Sequence, residues 1–242
     1  MTSPFPVYIG FDRREPEATE VARLSLDATS SIPLRVTELR EDELRAQGVY
    51  DRPFRMEGQQ RFDVRDGKPF STDFSFTRFL VPVLQEFDGW ALFCDGDFLF
   101  RADLKDLVAL ADDSKAVMVV QHRYEPPETT KMDGQRQERY FRKNWSSLIL
   151  WNCGHSANAA LTRKEVNHRP GSFLHGFQWL EDDQIGAVPE QWNWLEGWSS
   201  PDIVPSAVHM TRGVPTMPGY ENIPYAEEWR TYLTAGQKLR AL

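Results

Sequence analysis

Short β-rich runs alternate along this chain with stretches of helical period, and most of its architecture is predicted from that alternation. Val7-Tyr8-Ile9-Gly10-Phe11 is an apolar run that ends at Asp12, the pattern of a buried strand. Pro16 follows at a position a first helical turn tolerates, with Val21, Leu24 and Ala28 spaced for one helix face. Leu34 to Leu39 reads as a second strand, and the polar, Gly- and Pro-marked segment from Gly48 to Pro69 reads as a long loop or insertion. Phe76, Phe79, Leu80, Val83, Leu84 and Phe87 recur at helical spacing and predict an amphipathic helix, bent at Pro82 because proline lacks the amide donor. Trp90 to Cys94 is too short for most helices and long enough for a strand buried on both faces. Further strands are expected at Ala116 to Gln121, Ser147 to Trp151 and Ala207 to Met210. A C-terminal amphipathic helix is expected to carry Trp229, Tyr232, Leu233 and Leu239. Strands alternating with helices imply an α/β protein, a β-sheet flanked by helices, whose ligand site lies at the carboxyl ends of the strands.

Composition narrows the partners. With 40% hydrophobic and 26% charged residues over 242 positions, a single folded domain spanning 1–242 is expected, and neither repeats nor low-complexity tracts mark a linker. A formal charge of −8 repels phosphate backbones and argues against nucleic acid as a general partner. No apolar run reaches the length of a transmembrane segment, and the first residues lack a basic flank followed by an apolar stretch. Cys94 and Cys153 are too few for a disulfide framework, so a reducing cytoplasm is the expected location.

The candidate chemistry begins where Trp90 to Cys94 ends in Asp95-Gly96-Asp97. In extended chain residues i and i+2 face the same side, so both carboxylates can address one ligand, with the intervening glycine leaving the backbone open to approach. Two neighbouring carboxylates repel unless a cation compensates, and a hard divalent ion bound by oxygen is the economical solution. A solvated acidic turn is the alternative, because the pattern is common by chance.

Arg78-Phe79-Leu80-Val81-Pro82, then Phe93-Cys94-Asp95-Gly96-Asp97, then Asp103-Leu104 resembles the RxxxP helix, DxD strand end and following segment of GT-A glycosyltransferases of family 8, the glycogenin-like group. In the same order, Leu148 to Asn152 resembles the family's apolar strand ending in asparagine, Asp182-Asp183-Gln184 its DQ motif, and Val208-His209-Met210-Thr211 its late metal-binding histidine. The resemblance implies a GT-A-like (Rossmann-like) mixed sheet and assigns a metal to Asp95, Asp97 and His209. Oxygen and imidazole ligation together suit Mn²⁺ better than Mg²⁺, which is also possible. It places Asp183 and Gln184 next to the sugar's anomeric carbon and Arg78 at the donor, orienting the first aspartate. Asp12 is expected to hydrogen-bond base or ribose and Phe11 to stack on the base, since Asp12-Arg13-Arg14-Glu15 lacks the aromatic residue the family carries a few residues after the first strand. Arg212 and Gly213 stand where the family's diphosphate-contacting lysine segment follows the late histidine, and Trp145-Ser146-Ser147 replaces an Asn-x-Gly pattern. The histidines at 122, 155, 168 and 175 lack comparable spacing and read as structural or surface groups.

The function implied is metal-dependent transfer of a sugar from a nucleoside-diphosphate sugar, a UDP-sugar before others, to a glycan or glycolipid acceptor, with retention. In that scheme the metal acts as a Lewis acid on the leaving diphosphate while Asp183 or Gln184 faces the oxocarbenium-like centre. Covalent attack by Asp183 and entry of the acceptor on the leaving-group face both remain open. Trp192, Trp194 and Trp198 are either sugar platforms or core. Two rival readings are a metal-dependent nucleotidyltransferase, for which Gly10 to Arg14 supplies bases without the glycines, and a non-catalytic carbohydrate- or nucleotide-binding domain.

Overall fold

The structure, a computed structural model, describes residues 3–123 and 142–240. Its strands are β1 (Phe5–Gly10), β2 (Leu34–Leu39), β3 (Phe54–Glu57), β4 (Gln60–Asp63), β5 (Trp90–Cys94) and β6 (Phe98–Phe100). They continue with β7 (Val117–Val119), β8 (Leu148–Asn152), β9 (Ile185–Ala187), β10 (Trp194–Leu195) and β11 (Ala207–His209). Six of them make a mixed sheet in the order β2-β1-β5-β8-β7-β9, in which only β8 runs against its neighbours. This is the α/β, GT-A-like mixed sheet flanked by helices that the sequence predicts.

The central strands are apolar throughout because both faces of the sheet are covered. Tyr8, Ala91, Phe93, Val117, Val119, Ile149 and Trp151 point to one face, where they meet Phe76, Phe79, Leu80, Val166, Leu174 and Phe177. Val7, Ile9, Leu92, Cys94, Met118, Val120, Leu148 and Leu150 point to the other, against Ala22 and Leu26 of the first helix and Phe98, Phe100, Leu104 and Leu107. Each large side chain such as Phe93 or Trp151, wholly buried here, contributes roughly 1.5–3 kcal/mol by leaving water. A second sheet of order β10-β11-β6 packs with the C-terminal helix Ala226–Arg240, through Trp229 and Leu233, in a third cluster.

Four sequence expectations are corrected. The first helix, Pro16–Thr29, buries Ala18, Val21, Ala22, Ser25 and Leu26, while Ala28 is exposed. The helix expected through Phe87 is a 3-10 turn over Thr77–Leu80 followed by one α-turn, Val81–Leu84. Pro82 lies in the first turn of that α-segment rather than bending a longer helix, and Glu86 and Phe87 take positive φ, which ends it. The segment expected to be a loop holds the antiparallel pair β3–β4 and an inward Arg52–Asp63 ion pair with neither side chain exposed. Leu239 is 66% exposed, so the C-terminal helix turns only its Trp229 and Leu233 side inward.

Candidate active site

The acidic turn sits at the carboxyl end of β5, the middle of the sheet. Asp95 N–H donates to the Ser147 carbonyl at 2.8 Å, which ties the turn to the start of β8. Gly96 has a packing reason to be glycine. A Cβ there would lie 2.5 Å from the Gly10 carbonyl oxygen and 2.7 Å from Thr19 Oγ1. The missing side chain thus lets the turn press against β1 and the first helix, which replaces the ligand-approach reason given to it by the sequence pattern.

His209 arrives from β11. The antiparallel register pairs His209 with Phe98, the residue after Asp97, and the imidazole stacks on the Phe98 ring with centroids 4.5 Å apart. Its Nε2 lies 3.3 Å from Asp97 Oδ1 and 4.0 Å from Asp95 Oδ2. One ligating atom from each of the three residues falls within a 4.8 Å cluster. Burial first, and then the charges of Asp95 and Asp97, push the Cys94 thiol well above its ordinary range, a sign of the negative field at this strand end. Two carboxylates and an imidazole nitrogen converging on one point form a donor set that fits a divalent cation.

Arg78 lies beside this cluster, only 5% exposed, with its guanidinium 2.8 Å from Asp95 Oδ1 and donating to the Ser146 carbonyl at 2.8 Å. The pair fixes the orientation of Asp95 from the side opposite His209. Arg78, Asp95 and His209 open onto a cavity of ≈ 160 Å³ whose lining also includes Lys68, Lys143, Ser146 and His175. The His175 ring nitrogen Nδ1 is 2.8 Å from Ser146 Oγ. Burial, and then the cations Arg78, Lys143 and Arg52, drive the His175 pKa well below its ordinary value despite a hydrogen bond to the Ser75 backbone, so this imidazole is neutral. Lys68, Lys143 and His175 were missed in the sequence because no fixed spacing links them to the acidic turn. The one available signal was Ser146, which falls where the Asn-x-Gly pattern was sought.

The other sequence-predicted site residues lie elsewhere. Asp183 and Gln184 immediately precede β9, whose register with β7 puts them at the sheet edge opposite Asp95. Strands of this length separate the two edges by roughly 15 Å. There Asp183 is exposed and its carbonyl accepts from Lys115 Nζ, while Gln184 Oε1 caps its own turn through Glu181 N–H at 3.0 Å. Arg212 makes a bidentate pair with buried Glu196, at 2.8–3.0 Å, and Gly213 packs under Tyr220, so neither lines the cavity. Asp12 is 4% exposed and accepts from Arg14 N–H, Arg14 Nε and the Asp73 amide at 3.0, 2.9 and 3.1 Å. Burial alone would raise its pKa, but the Arg14 hydrogen bonds and charge, with the backbone amides, outweigh it and hold Asp12 below the usual carboxylate range. Arg40 covers the ring of Phe11 at 3.6 Å. Trp192 and Trp194 are core residues, whereas Trp198 is 39% exposed in a second cleft with His122, Trp145 and Glu190. Lys143 lines both this cleft and the cavity beside Asp95.

The strand order and the acidic turn at the end of its central strand define the fold of the GT-A glycosyltransferases. Solved structures with that fold include the apo form of the glycosyltransferase GlyE of Streptococcus pneumoniae TIGR4, with a TM-score of 0.59 and 14% identity over 96% of this chain. The chain spans 60% of the length of GlyE. The galactosyltransferase LgtC, solved in complex with donor and acceptor sugar analogues, superposes with a TM-score of 0.55 and 12% identity over 96% of each chain. Mouse xyloside xylosyltransferase 1 gives 0.50 and 11% identity over 88% of this chain and 100% of its own. No family model matches the sequence. The chain is 46% identical over 231 residues to Protein CDI of Arabidopsis thaliana, covering 93% of this chain and 85% of that protein, and it belongs to the same family.

Proposed function

We propose that this chain is a glycosyltransferase related to family 8, which moves a sugar from a nucleoside-diphosphate sugar, a UDP-sugar before others, to a glycan or glycolipid acceptor with retention. The observation that carries the proposal is the meeting of Asp95, Asp97 and His209 within 4.8 Å, two of them, Asp95 and His209, lining a cavity with Arg78, Lys68 and Lys143. Asp95, Asp97 and His209 would hold a divalent cation, Mn²⁺ before Mg²⁺, and its chemistry there is Lewis-acid neutralisation of the leaving diphosphate.

The chain's own groups do the remaining work. Arg78 holds the Asp95 carboxylate in one orientation and adds positive charge at the cavity wall. Lys68 and Lys143 bring cations to the region where the diphosphate charge develops. Neutral His175 and Ser146 offer the sugar hydroxyls a hydrogen-bonding pair that carries no charge of its own. Asp183, on the far edge of the sheet, supplies neither a nucleophile nor an oxocarbenium contact. Entry of the acceptor on the leaving-group face is the route to retention that asks nothing of Asp183. Trp198, in the cleft that shares Lys143 with the cavity, is the platform for that acceptor.

Incubating the protein with UDP-, GDP- and dTDP-sugars, with Mn²⁺ and after metal stripping, tests this reading. Metal-dependent release of a nucleoside diphosphate supports it. Pyrophosphate release would favour the nucleotidyltransferase reading, and binding without turnover a carbohydrate-binding domain.

A further inference from the structure

His209 has a second nitrogen, and the hydrogen bonds behind it set which nitrogen faces the acidic turn. Ser147 Oγ donates its proton to the Asn144 carbonyl at 2.7 Å. That hydroxyl therefore has only lone pairs left for Asn193, and it accepts from Asn193 Nδ2 at 2.9 Å. Asn193 Nδ2 also points to the Asn144 carbonyl, at 3.4 Å. Both donor contacts fix the amide orientation, so Asn193 turns its Oδ1 to His209 Nδ1 at 2.9 Å. An oxygen there accepts, so Nδ1 carries the proton and Nε2 is the nitrogen left to face Asp97 and Asp95.

We infer that Asn193 is a positioning residue for the proposed metal centre, locking His209 in the tautomer and ring orientation that a cation needs. The inference rests on the reading of Asp95, Asp97 and His209 as ligands. Asn193 is wholly buried and directly precedes β10, whose pairing with β11 carries Leu195 opposite His209. The same Ser147 that orients Asn193 through its hydroxyl accepts from Asp95 N–H through its carbonyl. One residue at the start of β8 thus ties two ligands of the site into a common frame. Outer-shell partners of this kind fix ligand tautomers and typically carry about 10- to 100-fold in metal affinity.

Titration with Mn²⁺ alone, followed by calorimetry or by loss of the free-ion paramagnetic resonance signal, tests this apart from any turnover. Asn193→Ala is expected to weaken Mn²⁺ binding by about 10- to 100-fold, and Ser147→Ala by an amount near the lower end of that range. Asn193→Asp, which keeps an acceptor for Nδ1–H but loses the two Nδ2 donor contacts, is expected to recover part of the loss. Wild-type protein that binds no Mn²⁺ at this site would overturn the metal reading and the inference with it. Wild-type binding that Asn193→Ala leaves unchanged would overturn the inference alone. If Asn193→Ala does not fold, ¹⁵N resonances of the wild-type imidazole decide: a proton on Nδ1 of His209 supports the inference, and a neutral ring protonated on Nε2 alone overturns it.

Discussion

Asp63→Ala is a sharp probe of how the cavity wall is held. Asp63 and Arg52 are both fully buried; the Arg52 Nε donates to Asp63 Oδ1 at 3.0 Å, a second guanidinium nitrogen pairs with Oδ2, and the third donates to the Val166 carbonyl at 3.0 Å. The ring of Phe76 covers the guanidinium carbon, with its centroid at 3.8 Å. Removing Asp63 strands a buried cation, a loss of about 3–5 kcal/mol. In a protein of this size that lowers the melting temperature by roughly 6–20 °C. The pair also anchors the segment that carries Asp66 and Lys68 into the cavity, so donor affinity should fall before the fold is lost. Urea unfolding followed by far-UV circular dichroism measures the loss, and the double variant Arg52→Met/Asp63→Leu should regain most of it, since replacing both charges removes the desolvation problem. An Asp63→Ala protein within about 1 kcal/mol of wild type would refute the reasoning.

Three further outcomes are expected. Gly96→Ala places a Cβ at 2.5 Å from the Gly10 carbonyl and should destabilise by about 1–3 kcal/mol through overpacking, measured as a fall in the urea midpoint; an unchanged midpoint would remove the packing role given to Gly96. His175 has its folded pKa well below its ordinary value of 6.5, so its contribution is complete above pH 6.5 and is lost as the pH falls below it, at up to about 1.4 kcal/mol per pH unit. Stability measured between pH 7 and 5 should therefore fall less steeply in His175→Asn than in wild type, and parallel curves would contradict the assignment. Asp183→Asn should leave turnover within about twofold of wild type, in keeping with the small effects of surface substitutions; a loss of orders of magnitude would return Asp183 to the active centre.

Strands β1, β5 and β8 were legible because burial on both faces writes a continuous apolar run, and β2 because Leu34 and Val36 alternate with the exposed Arg35 and Thr37. Asp95 and Asp97 were legible because a buried strand ending in acid is a local signal, and His209 only through the resemblance to the family's late histidine. What failed depended on distant partners or on φ. The stripe from Phe76 to Phe87 has helical spacing, yet positive φ at Glu86 and Phe87 stops the helix. The β3–β4 segment looks polar because its buried groups are Arg52 and Asp63, paired with each other. Asp183-Gln184 matched a motif, but Ile185 already begins β9, which leaves no residues to carry the chain from the ligand edge to the opposite one. Arg212 was chosen for its charge, which Glu196, sixteen positions earlier, already engages. Lys143 and His175 reach the cavity only through tertiary packing, and a single sequence carries no trace of that.

A crystal of the protein soaked with Mn²⁺ and UDP, with anomalous scattering recorded at the manganese edge, is the most direct trial of the metal centre. One manganese peak coordinated by Asp95, Asp97 and His209 Nε2, with the diphosphate entering the cavity beside Arg78, is the expected result. A peak elsewhere, or nucleotide bound with these three side chains uncoordinated, would contradict it.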